Sequence, residues 1–179
     1  MTVLFWILTV ILAAADQFTK GIAERYIPEG GRVCLLEMGE RDILSFSLHQ
    51  NTGAAFSSFS GKTAALSAVT AVAMAGLLIF FHRIKRKHPL MTVSFAMVVG
   101  GGIGNLIDRV GQGYVTDFIH LFPFNFIFNF ADICVVIGGI LLVIYYLFID
   151  EKFQGASGGG KSVGNGSEND FEIQDDARN

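Results

Sequence analysis

Four stretches of the chain are apolar over lengths that match the hydrocarbon core of a bilayer, which a helix of about 20 residues crosses. They run over about 2–21, 63–81, 90–107 and 131–149. The first is interrupted late by Asp16 and Lys20, one helical turn apart, as a continuing helix places them. Ala13-Ala14-Ala15 has the small residues of a secretory cleavage site, but Met1-Thr2 carry no basic charge ahead of the run. A retained helix is therefore expected rather than a removed leader.

The polar segments between the spans have their own patterns. Leu44, Phe46 and Leu48 alternate with Ser45, Ser47 and His49, the period of a half-buried strand. Met38–Asp42 reads as the turn before it and Val33–Leu36 as a partner strand, so a small sheet over about 32–56 is expected. Farther on, Phe122, Phe124, Phe126, Phe128 and Phe130 occupy every second position, with Pro123 blocking helix at the start. In extended form these rings line one side of the chain, as an anchor at a membrane interface would. From Gln154 the residues turn small, polar and acidic, which predicts a disordered tail over 154–179. The expected fold is an all-α membrane protein with four transmembrane helices and a small extracytoplasmic β-sheet.

Charge sets an expected orientation. Arg83, Lys85, Arg86 and Lys87 crowd between the second and third spans, which places that loop and both termini in the cytoplasm. Composition agrees with lipid as solvent. Of the 179 residues, 51% are hydrophobic and 16% charged, against about a quarter charged in soluble domains. Mean hydropathy is +0.49. A net charge of −3 argues against nucleic acid as a partner, since phosphate binding needs a concentrated basic surface. Cys34 and Cys134 form no CxxC pair, and His49, His82, His88 and His120 no HExxH array. No metal or other cofactor is expected, and Cys134 reads as a buried spectator thiol.

Candidate chemistry lies with the ionisable residues at membrane depth, which cost free energy to bury. These are Asp16, Lys20, Asp108, Arg109, Asp117 and Asp132, all toward one end of their spans or in the segment beyond. Asn129 can cap the fourth helix while Asp132 faces its positive end. Asp117 belongs to an apolar segment, and the connection through Pro123 can bring it back against that helix start. Two carboxylates in a low-dielectric groove share a proton, so one can activate water while the other protonates a peptide. Asp108 and Arg109 are expected to pair with each other, and Lys20 to snorkel to the interface. Gly100 and Gly104 are spaced for helix packing. Gly100–Gly104 fails the dinucleotide pattern because Asn105 holds its last position, and Gly102–Asn105 fails GxGD. Two other classes remain open on this reading: a small proton-coupled transporter or channel using the same aspartates, and an assembly protein binding through its aromatic segment.

Gly104-Asn105-Leu106-Ile107-Asp108-Arg109 with Gly113-Tyr114-Val115-Thr116-Asp117-Phe118 resembles the GNLxDR…GxVxDF signature of bacterial lipoprotein signal peptidase (signal peptidase II). Phe128–Asp132 is similar to that family's FNxAD, Asp16–Lys20 to DQxTK, and Asn51–Phe56 to NxGAAF. The blocks stand in the family's order and cover roughly 4–149. Thr116 and Ser57 depart mildly from the family's usual valine and glycine. The resemblance implies a peptidase domain over 1–153 in the bacterial cytoplasmic membrane, active toward its outer face. It implies an aspartic endopeptidase that cleaves diacylglyceryl-modified prolipoproteins before the lipidated cysteine, with lipid as the other partner and a monomer as the expected state. Asp117 and Asp132 are the implied catalytic pair. Asn51, Asn105, Arg109 and Asn129 are the implied polar shell, supported by Asp16 and Lys20.

Overall fold

The computed structural model describes residues 1–28, 30–39, 41–53, 63–124 and 126–150. The expected tail over 154–179, and Ala54-Ala55-Phe56 of the block similar to NxGAAF, lie outside the described residues. Among the described residues, four helices are long and apolar enough to cross a membrane: α1 (Thr2–Tyr26), α2 (Thr63–Arg83), α3 (Pro89–Gly111) and α4 (Phe130–Phe148). Four strands form one antiparallel sheet in the order β1 (Val33–Met38), β2 (Arg41–Asn51), β3 (Val115–Leu121) and β4 (Ile127–Phe128). The spans and the first hairpin follow the sequence expectation, while α1 and α3 continue past Gly21 and Ile107.

α3 is the axis of the bundle. In a membrane, helices gain little from hydrophobic association and pack where small residues let backbones approach. A Cβ on Gly100 would meet Thr9 and Leu12 of α1, one on Gly101 would meet Ala131 of α4, and one on Gly102 would meet Met74 of α2. A Cβ on Gly104 would overlap the Asp16 carboxylate. The Gly100/Gly104 pair therefore does serve helix packing, against α1. α3 starts with Pro89 in its first turn, where a missing N–H costs nothing, and His88 caps it by accepting from the Leu90 N–H.

The two ends of the bundle differ in chemistry. The end away from the sheet is closed by an apolar cluster of Phe5, Phe81, Met91, Phe95, Ala96, Val99 and Tyr145, with the Phe5 and Phe81 rings stacked at 4.2 Å. The sheet end holds the buried charged and amide side chains, Asp16, Lys20, Asn105, Asp108, Asp117 and Asn129, whereas the buried Thr92 and Ser94 at the apolar end donate to carbonyls one turn back.

Two local expectations are corrected. Ser45 was placed on the open face of β2 but is fully buried, because Arg32 donates to its hydroxyl at 2.8 Å and His120 lies over it. The five alternating phenylalanines do not form one extended ladder. The Phe122–Pro123 peptide is cis, only Ile127–Phe128 is strand, and Phe130 already belongs to α4. Rings 124, 126 and 128 still contact in series at 5.4 and 5.9 Å, while Phe122 sits under the Arg41 guanidinium.

Candidate active site

The start of α4 is built by a reciprocal cap. Asn129 accepts the Asp132 N–H on its side-chain oxygen (3.0 Å), and Asp132 accepts the Asn129 N–H on Oδ2 (3.2 Å). Both orphan donors are thereby satisfied, and the acidic residue stands at the positive end of the helix. Asp132 can carry a second function because its Oδ1 points away from this cap and takes the Asn105 Nδ2–H at 2.8 Å.

Asp117 is in the middle of β3, so the apolar segment expected around it is a strand, which no alternation in the sequence had marked. It is 1% exposed. Strand β2 runs beside it, with His49 opposite Asp117 in the register. At the end of β2, Asn51 accepts the Gly53 N–H (2.9 Å) in a turn that needs glycine at φ +80°. That turn leaves the Asn51 Nδ2–H free to donate to Asp117 Oδ2 at 2.9 Å. Asn129 Nδ2 donates to Asp117 Oδ1 at 2.6 Å and to Asn105 Oδ1 at 3.0 Å.

The two aspartates thus belong to one chain of contacts, Asp117–Asn129–Asn105–Asp132. Burial pushes the Asp117 carboxyl up from 3.8 to about 6, and the nearby Asp132 charge adds to the rise. The amide donors of Asn51 and Asn129, and the Lys20 charge, act the other way. Asp132 remains half-buried, so one member of the pair is sealed and the other reachable.

Behind this pair lies a second charged group. Lys20 is 3% exposed and does not snorkel. Its ammonium meets Asp16 Oδ2 at 2.7 Å, Asp108 Oδ2 at 2.8 Å and Asn105 Oδ1 at 3.0 Å. Asp108 is therefore the partner of Lys20 and not of Arg109. Adjacent helical residues point about 100° apart, so sequence neighbours on a helix rarely pair. Arg109 is half-buried, makes no ion pair among the described residues, and donates to the Asn105 carbonyl at 3.5 Å. Gln17, which the sequence reading passed over, donates to Asp108 Oδ1 at 2.7 Å and to the Gly104 carbonyl. Its signal was its place as the glutamine of the block that resembles DQxTK. A cleft of about 290 Å³ opens onto this group, lined among others by Gln17, Lys20, Glu24, Asp108 and Gln112.

All eight residues of the implied catalytic pair, polar shell and support lie at the sheet end, and seven of them share one hydrogen-bonded network: Asp16, Lys20, Asn51, Asn105, Asn129, Asp117 and Asp132. Arg109 joins it only through a backbone carbonyl. Cys134 is buried in α4, clear of these bonds. Elsewhere, Cys34, Glu37 and Asp42 on the first hairpin bring ligand atoms within 4.8 Å of one another. That set is remote in kind from the aspartate pair, and Arg32 already holds Asp42 at 3.0 Å.

Comparison with known proteins adds to this geometry. The family model described as signal peptidase (SPase) II matches residues 8–148. The lipoprotein signal peptidase of Anoxybacillus flavithermus is 31% identical over 163 residues, covering 89% of this chain and 95% of the relative. That of Geobacillus thermodenitrificans is 33% identical over 149 residues, covering 82% and 91%. A bacterial membrane enzyme solved by the in meso method at 1.9 Å superposes with a TM-score of 0.71 at 32% identity, covering 81% of this chain and 93% of the other. A second, solved at 2.3 Å, gives 0.71 at 30% identity over 89% and 94%.

Proposed function

The chain belongs to the signal peptidase II family, and on that footing we propose that it is an aspartic endopeptidase working on diacylglyceryl-modified prolipoproteins. It hydrolyses the peptide bond just before the lipidated cysteine and so releases the signal peptide. The observation that carries this reading is the meeting of Asp117 and Asp132, from a strand and a helix start, through the side chains of Asn129 and Asn105.

The asymmetry of the pair supports a division of roles. Asp117, sealed and raised to about 6, keeps the proton. Asp132, half-open, takes a proton from water as the oxygen adds to the scissile carbonyl carbon, while Asp117 gives its proton to the carbonyl oxygen. The gem-diol then collapses. The C–N bond breaks, the amine nitrogen takes the proton from Asp132, and a gem-diol hydroxyl returns one to Asp117. Asn51 and Asn129 hold the Asp117 carboxyl in place, and the Arg109 guanidinium is left with donors for a substrate carbonyl.

Lipid belongs to the recognition. Acyl chains retained in the bilayer hold the cysteine at a fixed depth, which lowers the entropic cost of aligning the peptide bond with the pair. The basic loop Arg83–Lys87 supports a cytoplasmic end opposite the sheet, which puts the aspartates toward the outer face of the bacterial cytoplasmic membrane. Every residue of the network comes from one chain, so a monomer suffices for this chemistry. The rival proton-coupled carrier gains no support. Polar breaks near the bilayer midplane are expected of it, and the charged network here sits at one end.

The test is incubation of the purified protein with one precursor in lipidated and unlipidated form. Cleavage of the lipidated form alone, with a new amino terminus at the cysteine, is expected. Equal cleavage of both would overturn the lipid requirement, and cleavage of neither would overturn the peptidase reading.

A further inference from the structure

Asp16 and Asp108 stand on different helices, yet each grips the backbone one residue ahead of an aspartate of the pair. Asp16 Oδ1 accepts the Ala131 N–H at 2.9 Å, and Ala131 precedes Asp132. Asp108 Oδ2 accepts the Thr116 N–H at 3.2 Å, and Thr116 precedes Asp117. Lys20 joins the two grips, since its ammonium reaches both carboxylates.

The third donor of that ammonium goes to Asn105 Oδ1, so all three N–H groups of Lys20 are spent. An acceptor demand on Oδ1 turns the Asn105 Nδ2 toward Asp132. One cation therefore sets two backbone positions and one amide orientation at once. A planar guanidinium offers a fork and does not match three acceptors converging on a point. The surroundings are fitted to this arrangement. Gly104 lacks the Cβ that would strike the Asp16 carboxylate, and Gln17 fills the remaining acceptor of Asp108 at 2.7 Å.

We propose that Asp16, Lys20 and Asp108 form a positioning triad, pivoted on Lys20, that sets the separation and orientation of Asp117 and Asp132. This rests on the aspartic reading above. None of the three touches the reacting atoms. Their effect is geometric and, for Lys20, also electrostatic, because its charge opposes the rise of the Asp117 carboxyl.

Displacement of a catalytic group by about 1 Å costs on the order of 10²-fold in rate. Lys20→Met is therefore expected to lower kcat by about that factor with KM nearly unchanged. The protonated-carboxyl infrared band assigned by its loss in Asp117→Asn should persist to higher pH in Lys20→Met than in the parent. Asp108→Ala, which removes the acceptor for Thr116, should give a similar kcat loss with faster amide exchange at Thr116. Phe5→Leu, in the apolar cluster at the opposite end, serves as the control for lost stability and should keep both kcat and the band. An inactive parent would sink the peptidase reading itself. An active parent with unchanged kcat in Lys20→Met, or with kcat lost while the band stays put, would overturn the triad. Should Lys20→Met fail to fold, unchanged kcat or unchanged Thr116 exchange in Asp108→Ala overturns it equally.

Discussion

Asn129 donates its side-chain amide to Asp117 across 2.6 Å, and the same residue caps the helix that carries Asp132. A capping residue is ordinarily a local device. Here the cap oxygen faces its own helix and the amide nitrogen faces a strand, so one side chain registers the sheet against the bundle.

These two duties separate by substitution. Serine caps helices about as well as asparagine, but it lacks the amide and the reach to Asp117 and Asn105. Asn129→Ser is expected to melt within about 1 kcal/mol of the parent while cleavage of a lipidated precursor falls at least about 10-fold. Asn129→Ala should lose activity and also the cap, typically about 1 kcal/mol more. Activity retained in the serine variant would reduce Asn129 to a cap.

The glycines of α3 make a contrast that needs no knowledge of function. A Cβ at Gly101 would come within 2.5 Å of the Ala131 carbonyl, directly before Asp132, whereas one at Gly111 meets nothing within 4 Å. Gly101→Ala should destabilise by roughly 1–3 kcal/mol through overpacking. Gly111→Ala should be neutral or gain a few tenths, because alanine is the better helix former. Thermal melting in detergent decides it, and equal melting of the two would mean that α4 does not press on α3 at Gly101.

Orientation is checked by labelling from outside intact cells, in a background with Cys34 and Cys134 replaced by serine. A cysteine at Glu37, exposed on β1, should react with an impermeant reagent, and one at Lys85 should not. The reverse pattern would place the aspartates on the cytoplasmic face and overturn the proposed localisation.

The spans were legible because length and apolarity alone specify a bilayer-crossing helix, and β2 was legible because Leu44, Phe46 and Leu48 alternate. β3 was not. Val115, Thr116, Asp117 and Phe118 are all buried, since helices cover one side and polar partners the other, so no alternation marks the strand. The aspartate pair was found through its sequence blocks and the cap before Asp132. The partner of Asp108 was missed because adjacency to Arg109 in the chain says nothing about facing. The pairing of Lys20 with Asp16 was legible from their spacing of four on one helix, but its burial was not: a span end usually leaves lysine a path to water, and only the convergence of α1 with α3 at Gly104 closes that path.

The carboxyls of Asp117 and Asp132 are both expected to be essential for cleavage. Asparagine at either position keeps the shape and removes the proton exchange, so Asp117→Asn and Asp132→Asn should each lower turnover by at least about 10²-fold. Their stabilities should differ in pH dependence. The Asp117 carboxyl is raised in the folded protein from 3.8 to about 6. As pH climbs through that window the unfolded chain releases this proton first, so the native state binds more protons and stability falls with rising pH. Well below the unfolded value of 3.8 both states are protonated and Asp117 costs nothing, and at about pH 4 the cost is still small. Above about pH 6 the penalty is complete, at roughly 3 kcal/mol for a shift of this size. Asp117→Asn has no proton to lose, so its stability relative to the parent should improve by a few kcal/mol between about pH 4 and about pH 7. Denaturation at the two pH values measures the change. A difference that does not grow with pH would show that Asp117 is not the proton holder, and near-normal turnover in either folded variant would exclude the two-carboxylate mechanism.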